Sequence, residues 1–220
     1  MSEIIFKKID ESDKKIILPV AEGEEVTFIL IGTEPGEKEI IVELKGEGAR
    51  AQILGLFILQ EGEVKVRTIQ HHQAPNTTSD LLFKTILLDK ARSPFETLRE
   101  GGKFDYQGLI KIDKKAQGAN AYQRNDNLMV GSATKVKTKP DLEILADDVR
   151  CTHGATVGKP NEDQLFYLHS RGLTKNQAEY ILIEGFLAEV IDRIEDEKKR
   201  KEVKKIVIEK LKMNNTLTVD

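Results

Sequence analysis

Short β-type runs dominate the sequence from residue 4 to about residue 149, and Gly, Asn and Pro separate them. Typical runs are E-V-T-F-I-L-I at 25–31 and A-Q-I-L-G-L-F-I-L at 51–59. They recur on average about every ten residues, a spacing that predicts a mainly β fold, either a sandwich or a solenoid. Apolar residues on both faces of the second run favour a strand buried on both sides. Gly46 and Gly48 suit tight corners between runs.

The sequence pattern becomes helical after residue 159. Asn161, with Gln three positions later, predicts the N-cap of a first helix, and Gly172 predicts its end. Thr174 and Gln177 predict a capping box for a second helix. A third amphipathic helix is predicted over about 196–213. The apolar stripe of the second helix consists of Ala178, Ile181, Leu182, Phe186, Val190 and Ile194.

Composition excludes several classes of protein. The 34 basic and 37 acidic residues give a net charge of −3, so no net basic field indicates nucleic-acid binding. No apolar run approaches the ~18 residues that a membrane span needs. The start M-S-E-I-I-F-K-K-I-D does not resemble a secretory signal. A single cysteine cannot form an internal disulfide, so we expect a cytoplasmic protein. From the change of sequence pattern we expect a β domain at 1–158 and a helical domain at 159–220.

The single cysteine, Cys151, lies two positions before His153. Residues i and i+2 of an extended strand project to the same face, with Cα atoms roughly 7 Å apart. A thiol and an imidazole on one face could bind a transition metal, or could form a thiolate with a nearby base. They could equally be a buried small hydrophobe and a structural histidine. The spacing alone does not choose between these interpretations.

Other polar residues favour structural roles. His71 and His72 are adjacent, so in a strand they point to opposite faces and cannot clamp one metal, and we interpret them as a structural corner. His169 is interpreted as a surface or packing residue. Four acids could be imagined as a cluster for glycoside chemistry or calcium, but a charged sheet face is the preferred interpretation. These acids are Asp141, Glu143, Asp147 and Asp148.

Four sequence blocks occur in an informative order. They are V-R-T-I-Q-H-H-Q-A-P-N-T-T-S at 66–79, D-K-A-R-S at 89–93, K-P-D-L-E-I-L-A-D-D-V-R-C-T-H-G-A-T-V-G at 139–158 and D-Q-L-F-Y-L-H-S-R-G at 163–172. These blocks, in this order, resemble the core domain of the SufB/SufD family, the scaffold subunits of SUF iron-sulfur cluster assembly. The likeness extends over roughly residues 39–194. It implies a right-handed parallel β-helix followed by a small helical region.

The resemblance implies a non-catalytic scaffold subunit, closest to SufD. It also implies a SufC-like ATPase that docks on the helical tail. The chain contains no P-loop of its own, so ATP hydrolysis would have to occur on that partner. The C-terminal coils would pair with a SufB-like subunit or with a second copy of the chain. Candidate residues for ATPase docking or for packing are Leu165, Phe166, Ile181, Leu182, Phe186 and Val190.

For Cys151 and His153, the resemblance implies the SufD version of a site implicated in cluster assembly at the subunit interface. Iron-sulfur clusters favour thiolate ligands and accept imidazole ligands. One cysteine and one histidine do not complete a four-ligand site, so a second subunit would have to contribute. We therefore expect a transient cluster or iron at the interface, and none stably bound by this chain alone.

The chain also departs from the family pattern. Asn125 occupies the place of a SufB cysteine implicated in cluster assembly, and Gly154 replaces a SufB glutamate; both differences are SufD-like. Residues 96–106 resemble an insertion, and we expect the chain to be truncated at its N-terminus. Two alternatives follow. One is a structural or regulatory paralogue without cluster chemistry. The other is a β-solenoid enzyme, which would require a deep groove lined by carboxylates.

Overall fold

A computed structural model describes residues 3–89 and 100–212. Within these residues a series of strands precedes three helices, and no described helix is long and apolar enough to cross a membrane. The strands are β1 (Glu3–Ile9), β2 (Lys15–Val20), β3 (Glu25–Gly32), β4 (Gly36–Leu44), β5 (Arg50–Leu59), β6 (Glu63–His72), β7 (Thr78–Leu87), β8 (Lys103–Ile112), β9 (Ala119–Met129), β10 (Lys135–Ile144) and β11 (Val149–Gly158). The helices are α1 (Glu162–Ser170), α2 (Lys175–Asp192) and α3 (Glu197–Lys212).

Odd-numbered and even-numbered strands form two separate sheets. The odd sheet has the order β1-β3-β5-β7-β9-β11, and the even sheet has the order β10-β8-β6-β4-β2. Every strand pair within them is parallel. Successive strands therefore alternate between the sheets, and each odd-even pair makes one coil of a solenoid. This pairing confirms the parallel β-helix and excludes an antiparallel sandwich.

Apolar side chains fill the interior between the two sheets. Phe57 packs against Phe83 and Phe104, with ring centroids 5.5 and 5.4 Å apart. Residues of both sheets belong to this buried cluster. Strands of the odd sheet are also apolar on their outer face, as the two-faced run at 51–59 predicted, because helices cover that face.

The corners of the coils stack on one another. Gly48 and Gly118 have positive φ values of 71° and 72°, and Asn76 takes the same left-handed conformation at 56°. Gly48 donates its N–H to Pro75 O at 3.1 Å, and Asn76 donates to Gln117 O at 2.9 Å. Each left-handed corner thus pairs with the corner of the following coil.

The helix boundaries follow the predicted caps. The Asn161 side chain accepts a hydrogen bond from Gln164 N at 3.1 Å, and Gly172, with φ of 90°, follows the end of α1. Thr174 and Gln177 form both bonds of the capping box of α2. These local predictions are confirmed.

Helices α2 and α3 pack on the outer face of the odd sheet. Their buried side chains share one apolar cluster with strands β3, β5, β7 and β9. The tail therefore shares a core with the solenoid, while the proposed division into two domains at residue 158 stays a prediction. Members contributed by the helices are Ile183, Leu187, Val190, Ile191, Ile194, Val203, Val207 and Leu211.

The segment expected as an insertion, residues 96–106, lies partly outside the described residues. From Lys103 onward it forms the start of β8, which pairs in parallel with β6 and β10. Phe104 and Tyr106 are fully buried in the interior. Any residues extra to the family pattern would therefore precede Lys103.

Candidate functional site

The last coil of the solenoid, formed by β10 and β11, has an open end. Each of these strands pairs on one side only within the described residues. Side chains that face the interior are consequently exposed there, although in earlier coils they would be covered. Val157, Leu142 and Ile144, in register with the buried Asn127, Ile110 and Ile112, are 46%, 41% and 37% exposed. Together with Leu145, which follows β10 and is 57% exposed, they give the open end an apolar surface.

Cys151 and His153 lie on β11 at this open end. In the strand register they pair with Ala121 and Gln123, both of which are buried between the sheets. Paired positions of a parallel sheet present their side chains on the same face. The two side chains therefore project to the interior face of the last coil, so the sequence-based placement on one shared face is confirmed.

The surroundings of the two side chains differ. His153 is exposed, whereas Cys151 is half-buried against a small apolar cluster that includes Ile110 and Ile112 of β8. Burial raises the pKa of the Cys151 thiol, so the thiolate is disfavoured in the isolated chain. Metal binding would have to displace this proton. Across 3–89 and 100–212, no group of three or more His, Cys, Asp or Glu side chains could hold a metal ion.

The six docking or packing candidates divide by exposure. Phe166 is 74% exposed and Ile181 is 42% exposed, while Leu165 and Leu182 are half-buried. Val190 is fully buried in the cluster against the odd sheet, so it packs within the chain.

Two aromatic residues of the tail are also at least partly exposed. Phe186 is partly buried, and the Lys84 ammonium lies 4.3 Å from its ring centroid. Tyr167, which sequence reasoning did not single out, is 56% exposed on α1. Since α1 buries no residue, the exposed large apolar side chains of the described part of the tail lie on α1 and the first half of α2.

Comparison with known proteins decides the family. The SufBD core domain, described as SUF system FeS cluster assembly, matches residues 25–186 of the chain. This chain belongs to the SufBD core family. It is 37% identical to iron-sulfur cluster assembly protein SufD of Escherichia coli (strain K12) over 162 residues, which are 73% of the chain and 36% of that protein.

Other relatives of this SufBD core chain include a SufBD family protein and a SufB protein. A SufBD family protein of Synechocystis sp. is 31% identical over 182 residues, 80% of the chain and 37% of the relative. SufB of Bacillus subtilis (strain 168) is 34% identical over 145 residues, 66% of the chain and 29% of the relative. The matched part of the chain thus spans between 29% and 37% of the length of these three relatives.

Asn125, where the family resemblance implies a difference from SufB, lies inside the solenoid. Asn125 is fully buried beneath Ala155 of the last coil, with which it is in register. Its Oδ1 accepts hydrogen bonds from Asn127 Nδ2 at 2.7 Å and from Thr138 Oγ1 at 3.2 Å. The side chain is therefore an element of a buried amide layer, and Gly154 on β11 lies next to open space.

The histidines of β6 point to opposite faces, as predicted. His71 Nε2 lies 3.0 Å from Asp113 Oδ1 on the outer side, whereas His72 is buried inside. His169 is exposed at the end of α1. Of the two histidines, His72 lies inside the solenoid, where it forms hydrogen bonds with Thr77 and Ser79.

A groove of about 770 Å³ on the outer face of the even sheet contains carboxylates. Two of them are ion-paired on the sheet itself: Lys65 Nζ lies 2.9 Å from Glu37 Oε1, and Arg67 Nη1 lies 3.5 Å from Glu39 Oε1. The hydrogen bond from Lys65 holds the pKa of Glu37 below its ordinary value, the opposite of what a general acid requires. The groove gives no support to a glycosidase, and Glu143 on the same face is likewise paired, with Lys111 at 2.7 Å.

Proposed function

We propose that this SufBD core chain is a SufD-like scaffold subunit of SUF-type iron-sulfur cluster assembly. The observation that carries the proposal is the open last coil, which places Cys151 and His153 beside an apolar surface and a free strand edge. Iron or a nascent cluster would be cargo at this end. A second subunit, SufB-like or another copy of the chain, would supply the remaining ligands. The proposed role needs no catalytic residue in this chain.

The free edge of β11 supports pairing at this end. Asn120 of β9 donates its N–H to Thr77 O on the β7 side at 2.9 Å. The intervening residues of β9, such as Ala121, therefore turn their backbone groups toward β11. Cys151, in register with Ala121, then directs its own N–H and C=O to the free edge, as do the other odd-numbered residues of β11. Unpaired groups in such a row are a template for another strand.

The neighbouring edge of β10 is blocked by a proline. Lys135 and Leu145 donate their N–H groups toward β8, to Gly102 O at 3.2 Å and to Ile112 O at 2.9 Å. Even-numbered residues of β10 therefore face its free edge, and Pro140 in their midst has no N–H to offer. Of the two strands at the open end, the one that carries Cys151 and His153 is the better edge for a partner.

The exposed side chains of α1 and the first half of α2 support docking of a SufC-like ATPase. Phe166, Tyr167 and Ile181 are large apolar groups that the described part of the chain leaves exposed. Because a thiol that serves as a ligand must stay reduced, the cytoplasm is the proposed compartment.

The metal-handling role is tested with Cys151→Ser and His153→Ala. Each variant should reduce the iron incorporated by the complex assembled anaerobically with its partners, while the melting temperature of the chain stays nearly unchanged. Thr152→Val is the matched control, since Thr152 lies between the two residues on the opposite face and should leave iron loading intact. Wild-type iron loading with a clearly lowered melting temperature would instead make the pair structural.

The docking role is tested with point variants, because a deletion would confound it. Removal of the tail from residue 174 would uncover the apolar outer face of the odd sheet. Phe166→Ser and Ile181→Ser should each reduce co-purification of the ATPase without a loss of stability. Ile17→Ser, at a 51% exposed position on the even sheet, is the control. Undiminished ATPase binding by both tail variants would contradict the docking role.

A paralogue without cluster chemistry is the second candidate. Asn125 in place of a SufB cysteine and the raised pKa of the Cys151 thiol favour it. Anaerobic reconstitution with the ATPase and a SufB-like subunit distinguishes the two proposals. Iron and sulfide that depend on Cys151 support the first, whereas a complex that assembles normally and loads iron independently of this chain supports the second.

A further inference from the structure

Six charged side chains form a cluster between α2 and the outer face of the odd sheet. The charge cluster is balanced, with three cations and three anions: Asp80, Lys84, Arg124, Asp126, Glu189 and Arg193. It occupies the part of the sheet next to the last coil, where β7 and β9 carry charged residues in place of the apolar residues of earlier strands.

Glu189 is the anion that α2 contributes to the centre of the cluster. Lys84 Nζ of β7 lies 2.7 Å from Glu189 Oε2. Arg124 of β9 donates a hydrogen bond from Nη2 to Glu189 Oε1. Arg193, one turn further along the chain, lies 3.5 Å from the same oxygen. The end of α2 is therefore held on the sheet by charge pairs beside its apolar contacts.

Asp126 continues the cluster from β9 to the terminal strand. Its Oδ2 lies 2.9 Å from Arg124 Nε and 3.7 Å from Lys84 Nζ, so it shares both cations with Glu189. Its Oδ1 accepts a hydrogen bond from Thr156 Oγ1 at 2.9 Å. Thr156 belongs to β11 and is in register with Asp126.

Burial makes the ion pairs of Lys84 and Asp126 difficult to rearrange. Lys84 is 5% exposed and Asp126 is 7% exposed, so neither charge can exchange its partners for bulk water. A buried charge that loses its partner is strongly destabilising. A displacement of α2 that removes Glu189 would leave Asp126 as the anion ion-paired with both Lys84 and Arg124, which in turn disturbs its contact with Thr156.

We propose that the charge cluster couples the position of α2 to the terminal strand β11, with Asp126 as the junction. Glu189, Lys84, Arg124 and Asp126 act as positioning residues for the open end. The functional meaning of this coupling rests on the proposed function, in which α2 belongs to the ATPase-docking surface and β11 carries Cys151 and His153. Docking on the tail would then alter the order of the strand at the open end.

Amide hydrogen exchange of the free chain, measured by NMR, tests the coupling without ATPase or iron. Glu189→Gln should speed exchange of the even-numbered β11 amides, which donate to β9, by about fivefold or more, although the hydrogen bonds and ion pairs of Glu189 go to Lys84, Arg124 and Arg193 and none to β11. Thr156→Val should speed exchange in the last turn of α2 in return, since coupling is reciprocal.

Two matched controls separate coupling from general loosening. Glu179→Gln makes the same change on α2 outside the charge cluster, where Glu179 Oε1 lies 3.8 Å from Lys175 Nζ, so β11 exchange should stay unchanged. Thr152→Val makes the same change as Thr156→Val on the same strand, where the hydroxyl forms no side-chain hydrogen bond within the described chain, and α2 exchange should stay unchanged.

The outcomes are distinct from those of the function tests. The coupling is overturned if Glu189→Gln affects only α2, as Glu179→Gln does, or if Thr156→Val matches Thr152→Val. If the substitutions at Glu189 and Thr156 each disturb the other element while the ATPase fails to bind the tail, the coupling stands and the proposed function fails.

Discussion

His72 is the residue whose chemistry the interior of the solenoid determines most completely. Thr77 Oγ1 donates to Ala74 O at 3.1 Å, so it accepts from His72 Nδ1–H at 2.8 Å. His72 Nε2 must then accept from the Ser79 hydroxyl, also at 2.8 Å. Ser79 in turn accepts from Gln70 Nε2 at 2.7 Å. This chain of bonds holds the neutral imidazole in one tautomer.

Burial, together with the neighbouring His71, lowers the pKa of His72 from 6.5 to about 4. The folded pKa lies below the unfolded one, so the contribution of neutral His72 to stability is complete above about pH 6.5. It should be lost as the pH falls toward 4, by up to about 3 kcal/mol. Urea denaturation of the wild type and of His72→Gln between about pH 7 and pH 4.5 measures this term. We expect the stability advantage of the wild type to shrink over this range; parallel curves would contradict the assignment.

At the scale of elements, the terminal strands determine where another strand can pair with the solenoid. Both terminal strands of the even sheet contain a proline directed at the free edge, Pro19 in β2 and Pro140 in β10. For β2 this follows from Lys14 O and Val20 O, which accept from β4 at 2.8 and 3.0 Å and leave odd-numbered residues facing outward. Proline on an edge strand protects against unwanted strand addition. The odd sheet has no proline in β1 or β11.

Pro140→Val should therefore increase self-association of the free chain. The substitution restores an N–H in the middle of the free β10 edge and adds a residue with high strand propensity. Light scattering at matched concentration measures the effect, and we expect faster growth of large species than for the wild type. Pro160→Val, between β11 and α1, is the control because it lies outside the sheets. Equal scattering by both variants would show that the β10 edge is not protected by its proline.

At the scale of the whole molecule, the helical tail and the solenoid share one apolar cluster. Leu187 of α2 is fully buried among residues such as Leu54 and Leu82 on the outer face of the odd sheet. Because the helices and the strands bury each other's apolar side chains, they should unfold together. The tail therefore contributes to the stability of the β-helix as well as offering a surface for a partner.

Leu187→Ala should lower the free energy of unfolding by about 2–5 kcal/mol. Leu165→Ala makes the same change on α1, outside the apolar clusters of the described chain, and should cost less than about 1 kcal/mol. Chemical denaturation followed by circular dichroism measures both values. A single transition is expected for each variant. Separate loss of the helical signal in Leu187→Ala would show that the tail folds as an independent unit.

Sequence alone determined the features that depend on neighbours along the chain. The strand runs, the caps at Asn161 and Thr174, and the common face of Cys151 and His153 follow from periods of two residues in strands and 3.6 in helices. The family resemblance then selected a solenoid over a sandwich, which strand spacing left open. The strand pairing confirmed that choice.

Only the tertiary structure decided which residues of these elements meet. Helix α2 is apolar on nearly all sides, so its sequence could not show that Ile183 and Leu187 face the sheet while Ile181 faces solvent. Lys84, Asp126 and Glu189 are far apart in the chain and become one cluster only when the coils stack and the tail folds back. Whether an edge is open or covered likewise depends on stacking. Contacts of this kind arise between residues distant in sequence, where no local period carries the information.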